Sequence, residues 1–137
     1  MKGNLFLFVF FVLLSCQNDS TQRNVPLTAN LLHGSWQLIE TYISPGGKTD
    51  WKPVENGNIF TFDNEGGFAR TNTFKNTPNS AGTYDLNNNV LKITYTRDSK
   101  EEKENFIVQI SENTMTLSPA GPIFCSEPCL YRYKRIN

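Results

Sequence analysis

The chain is poor in the residues that most chemistry needs. Its 137 residues include one histidine, His33, and three cysteines, Cys16, Cys125 and Cys129. A single histidine excludes a multi-histidine metal site. No Gly-x-Ser-x-Gly elbow is present to carry a serine nucleophile, and no glycine-rich loop is present to cradle phosphate. Neither sign of charge is in excess, with 13 Lys and Arg against 13 Asp and Glu. Nothing in that balance favours nucleic acid as a partner. The apolar run Leu5–Leu14 has ten residues, where a membrane-spanning helix needs about 20. Beyond one turn near Ala29–Leu32, no helical period is visible, so crossover helices and a parallel sheet are excluded. The expectation is a protein without cofactor, metal or catalytic set.

What is present begins at the N-terminus. Lys2 precedes the apolar run, and Leu13-Leu14-Ser15-Cys16 follows from it. A charged start and a short apolar core form a secretory pattern. The small residue and cysteine directly after that core resemble the lipobox of bacterial lipoproteins. The resemblance implies diacylglyceryl modification and acylation of Cys16, removal of residues 1–15, and membrane attachment through the N-terminal lipid. Two or more acyl chains hold a protein firmly, at about 0.8 kcal/mol per buried methylene. Gln17 stands where an Asp would resemble an inner-membrane retention signal, so the expected location is the cell envelope at the outer membrane. Asp19 is the one acidic residue near the cysteine, which leaves the side of that membrane open.

Residues 16–28 are polar and aperiodic and read as a tether. Thr28 is placed to cap a helical turn over Ala29–Leu32. Residues 29–137 make one domain. Cys125 and Cys129 form a lone close pair, which in an oxidising compartment reads as a disulfide.

Eight short runs rich in aromatic and β-branched residues predict strands at about 34–43, 58–63, 67–75, 80–86, 89–96, 102–110, 113–118 and 129–136. Asn64-Glu65-Gly66-Gly67, Asn87-Asn88-Asn89 and Glu112-Asn113 are hairpin turns, because Asn and Gly tolerate positive φ. The Lys100–Glu104 run reads as a solvated hairpin end. Such a meander leaves two exposed edges unless it closes, and closure makes an all-β antiparallel up-and-down barrel. Alternation assigns an inner face to Trp36, Leu38 and Tyr42, Phe60 and Phe62, Tyr84 and Leu86, Ile93 and Tyr95, and Phe106 and Val108. Glu40 shares the face of Trp36. As a buried carboxylate it would need a partner, with Arg70 as the candidate; alternatively a register break or the barrel mouth leaves both in water. Trp51, in the long link between the first two strands, either covers the mouth or plugs the barrel top. Asp63 and Glu65 share a turn and read as turn-forming.

Gly34-Ser35-Trp36 opens the first strand just after the helical turn. It resembles the Gly-x-Trp motif of lipocalins and lipocalin-like domains. Phe60-Thr61-Phe62-Asp63 before a glycine turn, Gly82-Thr83-Tyr84, Asn89-Val90-Leu91-Lys92-Ile93 and Tyr131-Arg132-Tyr133-Lys134-Arg135 extend that likeness to the lipocalin-like domains of bacterial lipoproteins. The resemblance implies that Trp36 closes one barrel end under an arginine from the last strand, Arg132 or Arg135. It implies a monomeric binding module for a small, partly apolar ligand, contacted by Glu40, Tyr42, Trp51, Phe60, Phe62, Arg70, Tyr84, Tyr95 and Phe106. The alternative is a filled barrel that binds another envelope protein. Strands of six to nine residues make a barrel roughly 20–30 Å tall, and eight strands enclose just side chains or one small ligand.

Overall fold

The computed structural model describes residues 29–72 and 79–137. The lipobox cysteine Cys16, the signal segment and the tether lie outside these residues. One helical turn, α1 (Ala29–Leu32), leads into nine strands: β1 (Gly34–Ile43), β2 (Lys52–Pro53), β3 (Ile59–Phe62), β4 (Gly67–Thr71), β5 (Ser80–Asn87), β6 (Val90–Arg97), β7 (Lys100–Ser111), β8 (Thr114–Gly121) and β9 (Cys129–Arg135). Every pairing is antiparallel, and strands from β3 to β9 each pair with the next in sequence. β1 closes the ring. It pairs with β9 over Trp36–Ile43 on one edge. On its other edge it meets β3 at Gly34–Gln37 and β2 at Glu40–Thr41. The result is a closed eight-stranded antiparallel barrel, with the two-residue β2 extending the position of β3.

The turns follow from their residues. Asn88 and Asn89 both take positive φ, 48° and 63°, as a two-residue hairpin loop with right-handed strand twist requires. Asp98 and Ser99 do the same between β6 and β7. Asp63 organises the β3–β4 turn: its Oδ1 accepts from the amides of Glu65 at 2.8 Å and Gly67 at 2.6 Å. After β1, the Ser44 hydroxyl donates to the Gly47 carbonyl at 2.7 Å and accepts from the Gly46 and Gly47 amides, which folds the chain back at Pro45.

The two ends of the barrel differ. The turns after β3, β5 and β7 are short and lie at the end where α1 enters. The long links, 44–58 and 122–128, lie at the other, with the β6–β7 turn. At the first end Trp36 is fully buried. Its indole N–H donates to the Leu32 carbonyl at 2.8 Å, and the Arg135 guanidinium lies 4.1 Å from its ring centroid. The same guanidinium donates to the carbonyls of His33 and Leu31, and so satisfies helix-end acceptors that the four-residue helix leaves open. Gly34 has φ +117°, and a Cβ there would sit 2.6 Å from the Asn137 carbonyl oxygen and 3.0 Å from Arg135 Nη1. The motif glycine is therefore required both by backbone conformation and by the close approach of the seal.

Above this seal the barrel is packed by Leu32, Phe62, Leu91, Ile93, Val108, Met115 and Leu117. Apart from Leu32 of α1, these residues alternate along their strands with more exposed ones, as a wall with one buried face requires.

Candidate functional site

The packing does not continue to the open end. A cavity of about 360 Å³ occupies the upper interior, bounded by Leu38, Asn58, Phe60, Arg70, Glu104, Phe106, Pro119, Tyr131 and Tyr133 on the walls and by Pro122, Ile123 and Cys125 at the rim. This volume lies within the range of small-molecule sites, about 300–1,000 Å³. A chain link positions the rim. β8 carries one extra residue against β7, because Asn105 pairs with Gly121 while Phe106 pairs with Pro119. The bulge accommodates a proline inside the sheet. The following loop is closed by the Cys125–Cys129 disulfide, and Ile123 and Phe124 stand out from it 76% and 70% exposed.

Arg70 and Glu104 are the charged residues of this lining. Arg70 Nη1 and Nη2 donate to Glu104 Oε1 and Oε2 at 3.2 and 2.6 Å. The Tyr95 phenol donates to Glu104 Oε1 at 2.5 Å and accepts from Arg97 at 2.9 Å. The Arg70 guanidinium also lies 4.8 Å from the Phe60 ring, 5.2 Å from Tyr95 and 5.7 Å from Phe68. A charge surrounded by rings is tolerated only when paired, and the bidentate fork is the strong form of that pairing. Burial pushes the Glu104 pKa up, but the hydrogen bonds from Arg70 and Tyr95 outweigh it and hold the carboxyl below its ordinary range. Burial works against the Arg70 cation too, and Glu104 reverses the sign, leaving it raised. Burial, with Glu104 beside it, raises the Tyr95 phenol. Burial raises Tyr133 further, against a hydrogen bond from Asn58, so both phenols stay protonated.

The sequence-predicted residues divide into three groups. Phe60, Arg70 and Phe106 line the cavity, and Tyr95 stands behind it as a hydrogen-bond donor to Glu104. Phe62 and Tyr84 face inward below the cavity and pack edge to face, 5.1 Å apart. Glu40, Tyr42 and Trp51 lie elsewhere. The pairing of β1 with β9 slips by one residue at Ile39, between Leu38↔Tyr133 and Glu40↔Arg132. A one-residue slip moves all later side chains to the opposite face. Glu40 and Tyr42 are thus on the outer wall, not the inner one that alternation from Trp36 assigned. There Glu40 binds Arg132 at 2.5 Å rather than Arg70. Trp51 neither covers the mouth nor plugs it. It lies against the same outer wall, its ring 3.8 Å from the Arg132 guanidinium and 5.7 Å from Tyr42. Of the two arginines considered for the Trp36 seal, Arg135 occupies it and Arg132 covers Trp51.

Glu104 is the charged residue of the lining that sequence reasoning missed, along with Asn58, Tyr131 and Tyr133. The run around it was read as a solvated end, and that holds for the Glu101–Lys103 pair, both about two-thirds exposed. Glu104, however, shares the inward parity of Phe106 and Val108. Extending that alternation two residues back would have placed it inside.

Among the described residues no cluster of metal-ligating side chains is present, and no helix is long and apolar enough to cross a membrane. A family model described as a lipocalin-like domain matches residues 32–117. No curated protein matches the chain. Among solved structures, one similar to it is the crystal structure of an uncharacterized protein from Bacteroides eggerthii. The two are 20% identical with a TM-score of 0.52, over 75% of this chain and 98% of the other. That likeness concerns the fold.

Proposed function

This chain belongs to the family of lipocalin-like domains, and from that membership we propose that it is a non-catalytic binding module for a small amphiphilic molecule, held in the cell envelope by lipid on Cys16. The observation that carries the reading is the cavity of about 360 Å³ in a barrel whose other half is solidly packed. Protein interiors rarely leave space larger than a water unfilled. Its lining combines aromatic and apolar side chains with a largely buried ion pair, the mix of surfaces that small-molecule sites present. The lipobox-like Leu13-Leu14-Ser15-Cys16 supports the anchor. The chain enters the barrel at its sealed end, so such an anchor would attach at the end opposite the mouth.

Native mass spectrometry of the full-length protein, extracted in mild detergent, tests the reading. A co-purifying small molecule is expected, released by denaturation. A clean apo mass, together with failure of an environment-sensitive dye to enter the barrel, would overturn it.

The exposed Ile123 and Phe124 at the rim favour a second reading, in which the mouth docks an envelope protein. Large exposed apolar side chains grouped together mark interaction sites. Photo-cross-linkers at positions 123 and 124 would capture one reproducible partner in that case, and none if the mouth serves only the small molecule.

A further inference from the structure

The charges in the cavity specify the kind of head group it takes. We propose that the cavity selects ligands whose polar group donates a hydrogen bond, an alcohol or an amine on an apolar body, and discriminates against carboxylates. The inference rests on the cavity being a ligand site, and it adds the chemistry of the ligand.

Arg70 is the less accessible of the two charges. Each terminal nitrogen has one N–H committed to Glu104, and its Nε, without a hydrogen-bond partner among the described residues, is buried. The Arg70 side chain is only 11% exposed, against 25% for Glu104. The carboxylate, not the guanidinium, is thus the more accessible charge in the lining. Its acceptor capacity is also incomplete. A carboxylate offers about four lone-pair positions. Oε1 receives two bonds, from Arg70 and Tyr95, and Oε2 receives one, from Arg70. Counting the bonds named here between described residues, Oε2 keeps one further acceptor position. Among the described residues a second cation nearby, Arg97, donates to the Tyr95 phenol and lies over its ring at 5.3 Å. A ligand carboxylate would meet the Glu104 charge at short range in a site of low polarity, where repulsion is least screened. A hydroxyl or ammonium group would fill the open position. The apolar part of the lining, Leu38, Phe106, Pro119 and Ile123, receives the hydrocarbon part.

The test is a matched series of 1-decanol, decylamine and decanoate, competed at pH 7 against an environment-sensitive dye bound to the intact protein. The donor-headed members are expected to displace the dye at least about tenfold more tightly than decanoate, since hydrogen bonds to charged groups are worth that much. In Glu104→Gln the preference of decylamine over decanoate should collapse, while decanol still binds. Decanoate binding as tightly as decanol and decylamine in the wild-type protein would overturn this inference and leave the cavity a ligand site. If Glu104→Gln is too unstable to assay, the wild-type ranking decides alone. Dye binding absent, and no member of the series retained in native mass spectra, would overturn the ligand site itself and this inference with it.

Discussion

Arg70 and Glu104 stand 34 residues apart in sequence and meet inside the barrel, two nitrogens on two oxygens. β4 supplies one and β7 the other, and the strands between them bring the pair together. Removing one partner strands the other charge among aromatic rings. Arg70→Met and Glu104→Leu are each expected to lower unfolding free energy by about 2–4 kcal/mol. The double variant should be less destabilised than the sum of the two, because nothing charged is left unpaired. Urea unfolding of the three variants measures this; simple additivity would mean that the pair contributes no coupling.

The same pair makes a statement about pH. The Glu104 pKa is lowered in the folded protein, so the unfolded chain takes up the proton first as pH falls. The stabilisation is therefore present above the unfolded carboxyl value, about 4.3, and is lost as pH drops through the lower folded value. Thermal midpoints should fall below about pH 4, and the fall should be shallower in Arg70→Met. At the alkaline side the sign reverses. Tyr84, Tyr95 and Tyr133 are raised, so their contribution is complete below about pH 10 and lost above it.

Trp51 offers a direct check of the outer-wall assignment. Trp51→Ala removes a ring that covers Arg132 and Tyr42 but touches none of the cavity. Stability should drop by about 1–2 kcal/mol, from lost cation–π and packing contacts. Dye affinity should stay within about twofold. A large affinity loss would place Trp51 over the mouth after all.

The Cys125–Cys129 disulfide closes a very small loop, for which the chain-entropy gain is about 2 kcal/mol. Cys125→Ser with Cys129→Ser should reduce stability by about that amount and leave the far-ultraviolet circular dichroism of the barrel unchanged. Because Cys125 belongs to the cavity rim, dye dissociation should also become faster. An unchanged off-rate would show that the pinned loop does not guard the cavity.

Gly34→Ala probes the seal. With φ at +117° and an oxygen 2.6 Å from the missing Cβ, alanine can neither adopt the backbone nor fit. A loss of about 2–4 kcal/mol is expected, with the Trp36 indole becoming accessible to an aqueous quencher. A shielded indole would mean that the seal adjusts.

Most of the fold was legible in the sequence because strand alternation and turn chemistry are local. Asn88-Asn89 and Asp63-Asn64-Glu65-Gly66 specify their turns from their own side chains and φ preferences. Only the closing contact, β1 with β9, spans the chain, and it was inferred from the cost of open edges. The site was less legible. Strict alternation puts Glu40 and Tyr42 on the inner face; the register break held open as the alternative for Glu40 is present, but its place at Ile39 has no residue signature of its own. It is a property of how β1 registers on β9. Glu104 was overlooked for the opposite reason, since a charge inside a barrel contradicts composition and is permitted only by a partner that sequence does not display.

Periodicity by itself determined that the chain is a meander of antiparallel strands with an apolar inner face, and the resemblance of Gly34-Ser35-Trp36 to the lipocalin motif implied which end is sealed. The resemblance to a lipobox lies entirely in the first sixteen residues, and the proposed anchor rests on sequence alone. Tertiary structure alone decided that Arg135 and not Arg132 covers Trp36, that Arg132 answers Glu40 on the outside, and that Arg70 answers Glu104 on the inside. The physical reason is that a side chain's face depends on register, and register between distant strands is set by the closure of the whole barrel. The cavity has the same origin. It stays open because Phe62 and Tyr84 pack below it and Tyr42 and Trp51 lie outside the wall.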